Sequence, residues 1–306
     1  MSIPQTFYMD GPSLGSSTSI FVDANLTTCA PNGFYSDGVI VRQQTSCSLL
    51  PPQACPSCSV LCGDPITASG LTGEYLLNVN TGETLGAIVI RFNPLSIPDG
   101  IMATFNTTIY NELSSPLFGY LAAPVNLPTF VGNFTDDCGI GGSTFTLDEY
   151  LYDGVGFNAT GNSNVVNVSL SQVHVTSTAP GECVMIIPKT AASPSIINIQ
   201  VFGVCGGTAF NIQVDCPVML TSFPASLNGG LMPGAEFCSL ATDSNYYSYP
   251  LNGSPGILGL YDWVFTDIYG ENKLANGWYK YDEFFPTYDS FHVENGVVIA
   301  FGTLCS

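Results

Sequence analysis

Apolar and polar positions alternate with period two along much of this chain, which predicts strands rather than helices. Tyr75, Leu77 and Val79 alternate with polar neighbours, Asn80-Thr81-Gly82-Glu83 supplies turn chemistry, and Leu85 to Phe92 is apolar on both faces apart from Arg91. That pattern predicts a hairpin with one strand buried on both sides. Val166, Val168 and Leu170 alternate with Asn167, Ser169 and Ser171 before the parity shifts to Val173 and Val175, so a bulge is expected near Gln172. Ile197-Asn198-Ile199-Gln200-Val201 and Phe210-Asn211-Ile212-Gln213-Val214 share Asn-Ile-Gln-Val and flank Gly206-Gly207, a second expected hairpin. Near the C-terminus, Phe291-His292-Val293-Glu294, then Asn295-Gly296, then Val297-Val298-Ile299-Ala300 predicts a third. Asn-Gly suits its type I′ turn because both central residues need positive φ. Gly (32) and Pro (21) interrupt almost every window, so no strong helix is expected. The fold class is all-β, mainly antiparallel, with β-sandwich or β-barrel modules and small hairpin modules near both ends.

One phrase occurs twice. Ala30-Pro31-Asn32-Gly33-Phe34-Tyr35-Ser36-Asp37-Gly38 is echoed by Ala275-Asn276-Gly277-Trp278-Tyr279-Lys280-Tyr281-Asp282. Each has Asn-Gly, an aromatic, a Tyr and a nearby Asp, followed by an apolar strand (Val39 to Val41, and Val297 to Ile299). Both are read as small β modules in which a Gly turn docks an aromatic pair on a strand. With seams at the Pro51-to-Pro65 stretch and at Cys216-Pro217, this divides the chain into three. Residues 1–63 form a Cys-rich N-terminal module, 64–217 a central β domain, and 218–306 an aromatic-rich C-terminal β module.

Composition narrows the partners. Hydrophobic residues make up 45% of the 306 positions, enough for a real core, whereas charged residues make up only 9%. The surface therefore relies on Asn, Thr, Ser and Gly. Five basic residues, Arg42, Arg91, Lys189, Lys273 and Lys280, stand against 24 acidic ones, with no two closer than seven positions. Neutralising a phosphate backbone needs clustered Lys or Arg, so no nucleic-acid partner is expected, and an anionic membrane surface would repel the chain. No apolar run approaches a membrane span, and Met1 to Asp10 lacks the basic and apolar regions of a signal peptide, so the product is read as unprocessed.

Eleven cysteines are many for a cytoplasmic enzyme, and an odd number leaves at least one unpaired within the chain. Cys29, Cys47, Cys55, Cys58 and Cys62 cluster early; Cys138, Cys183, Cys205, Cys216, Cys238 and Cys305 are spread along the rest. The Cys55-to-Cys62 spacing would let thiolates reach one tetrahedral Zn²⁺, a structural zinc site. Disulfides formed in oxidising surroundings are the alternative, extending to the six later cysteines. Either way the role is stapling.

Catalytic motifs are sparse. Gly11-Pro12-Ser13-Leu14-Gly15 matches G-x-S-x-G, but a nucleophile elbow needs a buried strand before it and a helix after it; a surface turn is the better reading. His174 and His292 are the two bases available to it and read as strand-surface residues. The acidic pairs Asp136-Asp137, Asp148-Glu149 and Asp282-Glu283 would serve a glycosidase only across a cleft, which adjacency does not establish. Tyr247, Tyr249, Tyr261, Trp263, Trp278, Tyr279 and Tyr281 put amphipathic rings near carboxylates. Such a set suits a glycan-binding surface, a subunit interface or a packed core.

Several longer phrases carry a family resemblance: Phe34 to Gly38, Ile97 to Phe105, Leu113 to Pro116, Asp136 to Ile140, Val184 to Pro194, Gly259 to Asp262, Gly277 to Tyr279 and Asn295 to Val298. Together they resemble uncharacterised virion structural proteins of tailed marine bacteriophages, including contractile-tailed cyanophages, over nearly the whole chain. The resemblance implies a non-enzymatic particle component assembled in the host cytoplasm and then extracellular. Its expected partners are copies of itself and other virion proteins, in tail, baseplate or fibre, with a host-surface glycan or receptor as a further partner. A glycan-binding adhesin module, a capsid decoration protein, a cell-surface filament subunit and a tail-associated hydrolase are the alternatives.

Overall fold

The computed structural model describes residues 6–36, 40–51, 53–54, 60–116, 119–132, 138–174, 181–227, 230, 235–251, 257–281, 288–303 and 305. The N-terminal region holds β1 (Tyr8–Met9), β2 (Ile20–Phe21), β3 (Gly33–Ser36), β4 (Ile40–Thr45), β5 (Ser48–Leu49) and β6 (Gln53–Ala54). Next come β7 (Val60–Leu61), β8 (Pro65–Ser69), β9 (Gly73–Asn80), β10 (Gly86–Asn93), β11 (Asp99–Phe105), β12 (Thr108–Tyr110) and β13 (Leu113–Ser115). They are followed by β14 (Gly119–Leu121), β15 (Thr129–Val131), β16 (Ser143–Tyr152), β17 (Phe157–Val168), β18 (Cys183–Lys189), β19 (Ile196–Gly203) and β20 (Ala209–Val218). The last stretch adds β21 (Thr221–Ala225), β22 (Ser244–Tyr249), β23 (Trp263–Phe265), β24 (Gly277–Lys280), β25 (Ser290–Glu294) and β26 (Val297–Gly302). The fold is all-β and mostly antiparallel, as expected; a helical turn at Ala235–Cys238 is the longest helical piece among the described residues.

A sandwich forms the centre. One sheet runs β14-β13-β18-β10-β20-β8; the other runs β12-β11-β19-β9-β16-β17, with β15 and β7 attached. Alternation along each strand places one row of side chains inward. Ile88, Ile90, Phe92, Met185, Ile187, Phe210, Ile212 and Val214 from the first sheet meet Tyr75, Leu77, Val79, Ile101, Ile197, Ile199 and Val201 from the second. The other face of β10 and β18, carrying Ala87, Val89, Val184 and Ile186, is covered by Trp263, Phe265, Val297 and Leu220 of the C-terminal region. This double burial is why Leu85 to Phe92 is apolar on both faces. The third sheet, β21-β22-β23-β26-β25-β24, is thus docked on the sandwich and carries a core of its own around Phe223, Val264, Tyr279 and Phe291.

Two expected hairpins are corrected. β9 and β10, and likewise β19 and β20, lie in different sheets, so the turns after Asn80 and at Gly206-Gly207 cross the sandwich. Their apolar rows face each other across the core rather than lying side by side. The expected bulge at Gln172 is instead a break: β17 ends at Val168 and Leu170–Gln172 forms a 3-10 turn, with the buried Gln172 accepting from Ser169 N at 2.6 Å and donating to Pro128 O at 2.6 Å. The Asn295-Gly296 hairpin is present, with φ of 50° and 81°.

The sequence echo is the visible part of a structural duplication. Ala30 N donates to Ile20 O at 2.8 Å, and Leu274 N to Val264 O at 2.9 Å. Tyr35 donates to Pro31 O at 2.6 Å and Tyr279 to Ala275 O at 2.8 Å. Asn32 accepts from Ser46 N at 2.8 Å and Asn276 from Asn295 N at 2.6 Å. The strand equivalent to β4 is β25, and β26 answers to β5 rather than to the strand after Asp37. The cores differ in chemistry. Where Phe291 and Val293 pair with Tyr279 and Gly277, the N-terminal copy has Arg42 and Gln44 opposite Tyr35 and Gly33. Arg42 is buried and donates to the carbonyls of Leu14, Gly15, Ser17, Leu49 and Leu50 at 2.5–3.3 Å. Gln44 accepts from Ile20 N and donates to Ile20 O and Ala30 O. With each nitrogen of both side chains hydrogen-bonded, burial of these polar groups is tolerable.

Candidate functional site

Among the described residues, four disulfides join Cys29 to Cys47, Cys62 to Cys216, Cys138 to Cys205, and Cys238 to Cys305. Bonded sulfurs are not thiolate ligands, so Cys29, Cys47 and Cys62 are not free to bind zinc in this form. Cys55 and Cys58 lie outside the described residues. Among those described, no three His, Cys, Asp or Glu side chains converge as a metal site would require. The bond from Cys62 reaches across 154 residues and ties the entry of the sandwich to its last strand, a pairing that spacing cannot reveal. Among the described cysteines, Cys183 is the free one; it is buried, and burial pushes its thiol up to about 12.

Ser13 sits in a tight turn. Ser16 N and Ser17 N donate to Ser13 O, Ser13 and Ser16 share a hydroxyl contact of 2.9 Å, and the Leu14 and Gly15 carbonyls are held by Arg42. This is the surface-turn reading. His174 is half-buried with its ring Nε2 unpartnered, and burial lowers its pKa; His292 stacks on Trp278, with centroids 4.9 Å apart. Of the acidic pairs, Asp136-Asp137 and Asp282-Glu283 lie outside the described residues. Glu149 accepts from Thr160 at 2.7 Å, Asn164 at 3.2 Å and Asn162 at 3.3 Å, so it organises the β16–β17 hairpin.

The aromatic set divides in two. Trp263, Tyr279 and Tyr281 are buried, their rings spent on packing. Tyr247, Tyr249, Tyr261 and Trp278 are half-buried. Trp263 belongs to the junction between third sheet and sandwich: its Nε1 donates to Val184 O at 3.0 Å, and Tyr120 meets it edge-on. Lys273 lies over the Trp263 ring, 5.0 Å from its centroid, and pairs with Glu112. Burial pushes the Lys273 ammonium down to about 8.

At the rim of the same junction, Arg91 bonds Asp215 at 3.0 Å, Glu182 at 3.2 Å and the Tyr249 hydroxyl. Burial lowers the Arg91 pKa and these partners outweigh it, leaving it raised. A cleft of about 350 Å³ opens beside Trp263, lined by Tyr110, Glu112, Val125, Phe265, Glu271 and Lys273. Neither Glu112 nor Glu182 was singled out from sequence. The available signal was the rarity of cations: Arg91 is the single polar break in an apolar strand.

One exposed element stands apart. β17 is twelve residues long and ends the eight-stranded sheet. Asn158 donates to Asp153 at 2.8 Å, Asn164 donates to Glu74 at 2.6 Å, and Gln200 reaches Glu74 from the neighbouring β19 at 2.8 Å. Glu74 is 2% exposed, and these amides satisfy its charge. The Glu74 carboxylate thus ties β9 to both β17 and β19. Compared with protein-family models, curated proteins and solved structures, the chain matches none.

Proposed function

We propose that this chain is a non-enzymatic structural subunit of a tailed-phage particle. It works at the particle surface, in tail, baseplate or fibre, through interfaces with copies of itself and with other virion proteins. The observation that carries this reading is how the polar groups are used. Asp23, Glu74, Glu149, Asp215, Asp262 and Asp267 each hold a loop, hairpin or sheet junction through hydrogen bonds. Disulfide-stapled β modules with a polar surface built largely from Asn, Thr, Ser and Gly suit a component that must persist outside the cell. The resemblance to phage structural proteins supports the same reading. Density for this chain in purified particles is the expected result; an isolated monomer found in no assembly would end the hypothesis.

A glycan- or receptor-binding role is the second reading, favoured by one repeated position. Phe34 and Trp278 occupy equivalent sites in the duplicated modules, and Phe34 is 68% exposed. An aromatic ring presented twice is a platform for stacking on sugars. Glycan binding by the isolated chain, lost in Phe34→Ala with Trp278→Ala, is the expected result; retention in the double variant rules the platform out.

A further inference from the structure

We infer that β17 pairs antiparallel with β17 of a second copy, about a two-fold axis at Val165. This deepens the assembly reading above by naming one of its interfaces. β17 is the longest strand among the described residues, and its far side has no partner strand among them. Natural sheet edges are blunted by shortness, charge, proline or bulges. The other edges follow that rule: β12 and β14 have three residues, β8 has five, β21 has five with Pro224, and β24 has four with Lys280. Phe157–Val168 contains no charge and no proline.

One protective feature is present, and it limits the pairing. The register shifts between Asp148 and Tyr150, and Gly161 has φ of 86°, so the strand bends there. Beyond the bend, Ser163–Val168 runs in regular register with β16. In this stretch Val165 is 63% exposed, an apolar β-branched side chain on an open edge.

Charge selects the occupant. The chain carries a net charge of −19, so two copies repel over most of their surface. Between Asp153 and Glu182 no charged residue occurs. Of the carboxylates beside β17, Glu74, Glu149 and Asp153 are engaged by its own Asn164, Thr160, Asn162 and Asn158, and the exposed Asp148 stands opposite Ser163 on the inner neighbour β16 rather than on the edge strand itself. A basic partner would prefer the acidic surface elsewhere; an uncharged edge is where a like-charged copy can approach. Symmetry supplies the register. With Val165 opposite its mate, Ser163 faces Asn167 of the second copy, an apolar pair flanked by two hydrogen-bonding pairs.

The test uses the full chain. Sedimentation equilibrium is expected to show a dimer, and Val165→Lys, which sets two cations together at the axis, to weaken it roughly tenfold or more. Val165→Thr keeps shape and β-propensity and is expected to retain the dimer. Val165→Cys is expected to cross-link between chains under mild oxidation, whereas Val155→Cys, at another exposed position, does not. Should Val165→Lys fail to fold, amide exchange of residues 163–167 in the natural chain, slowed as concentration rises, gives the same information. A monomer at every concentration, or a dimer indifferent to Val165→Lys, overturns the inference. The phage assignment is judged separately by particle density, so either can fail alone.

Discussion

Asp23 and Asp267 do the same work in two copies of one loop. Asp23 Oδ1 accepts from Asn25 N at 3.0 Å and Thr27 N at 3.2 Å, and its Oδ2 from Thr28 N at 2.7 Å. Asp267 Oδ1 accepts from Tyr269 N at 3.0 Å and Glu271 N at 3.1 Å, and its Oδ2 from Asn272 N at 2.6 Å. In each loop the left-handed position, Leu26 in one and Gly270 in the other, sits three residues after the Asp. A carboxylate that gathers three amides closes a turn that would otherwise leave donors unpaired.

Both groups titrate low. Desolvation raises each pKa, but the amide and side-chain hydrogen bonds outweigh it, so both end lowered. A lowered folded pKa gives stability that is present above the unfolded value of about 3.8 and lost as pH falls through the folded one. Asp23→Ala is expected to loosen only the N-terminal module and Asp267→Ala only the C-terminal one, with effects that add in the double variant. Hydrogen exchange of residues 24–30 and 268–274 checks this; cross-protection between the loops would refute independence.

Asp99 behaves in the opposite sense. It is fully buried with neither carboxyl oxygen hydrogen-bonded, and the nearby Thr208 hydroxyl donates instead to Cys205 O at 2.7 Å. Burial holds its pKa well above the ordinary range; Asp262, also buried, is raised to about 7 against the amides of Leu251 and Gly259. A raised folded pKa gives stability that is full below about 3.8 and lost as pH rises through the folded value. Asp99→Asn is therefore expected to gain at least ~1 kcal/mol over the natural chain at pH 8, and nothing at pH 3. Urea melts at both values decide it, and equal differences at the two would contradict the account.

Trp263 joins the third sheet to the sandwich by packing and by its bond to Val184 O. Trp263→Phe is expected to cost about 1–2 kcal/mol and Trp263→Ala about 3–5 kcal/mol. Because the third sheet retains its own core around Phe291, the alanine variant should undock rather than unfold it. Limited proteolysis at residues 219–220, faster in Trp263→Ala with the fragment still folded, is the readout.

The disulfides act on different scales. Cys62–Cys216 spans 154 residues and Cys29–Cys47 spans 18. Removing either is expected to cost about 2–5 kcal/mol, with the longer loop at the upper end. Loss of Cys62–Cys216 should lower the denaturation midpoint of the sandwich, whereas loss of Cys29–Cys47 should affect the N-terminal module alone. Cys183 should resist alkylation until the sandwich opens, since burial keeps it a thiol.

The linear pattern carried the fold class, because period-two alternation is itself the signature of a surface buried on one side. It also carried the Asn295-Gly296 hairpin, whose turn depends on two adjacent residues, and half of the duplication, through Asn-Gly-aromatic-Tyr. It misjudged β9–β10 and β19–β20, since a strand facing its successor across a core has the same alternation as one lying beside it. Only folding distinguished the two arrangements, by the cost of leaving Ile197, Ile199, Phe210 and Ile212 in water. The pairing of Cys62 with Cys216 and the division of the rings into buried Trp263 and half-exposed Trp278 rest on contacts between residues far apart in the chain. So does the open edge at β17. Which strand ends a sheet depends on every other strand's partner, and no local stretch of residues encodes that.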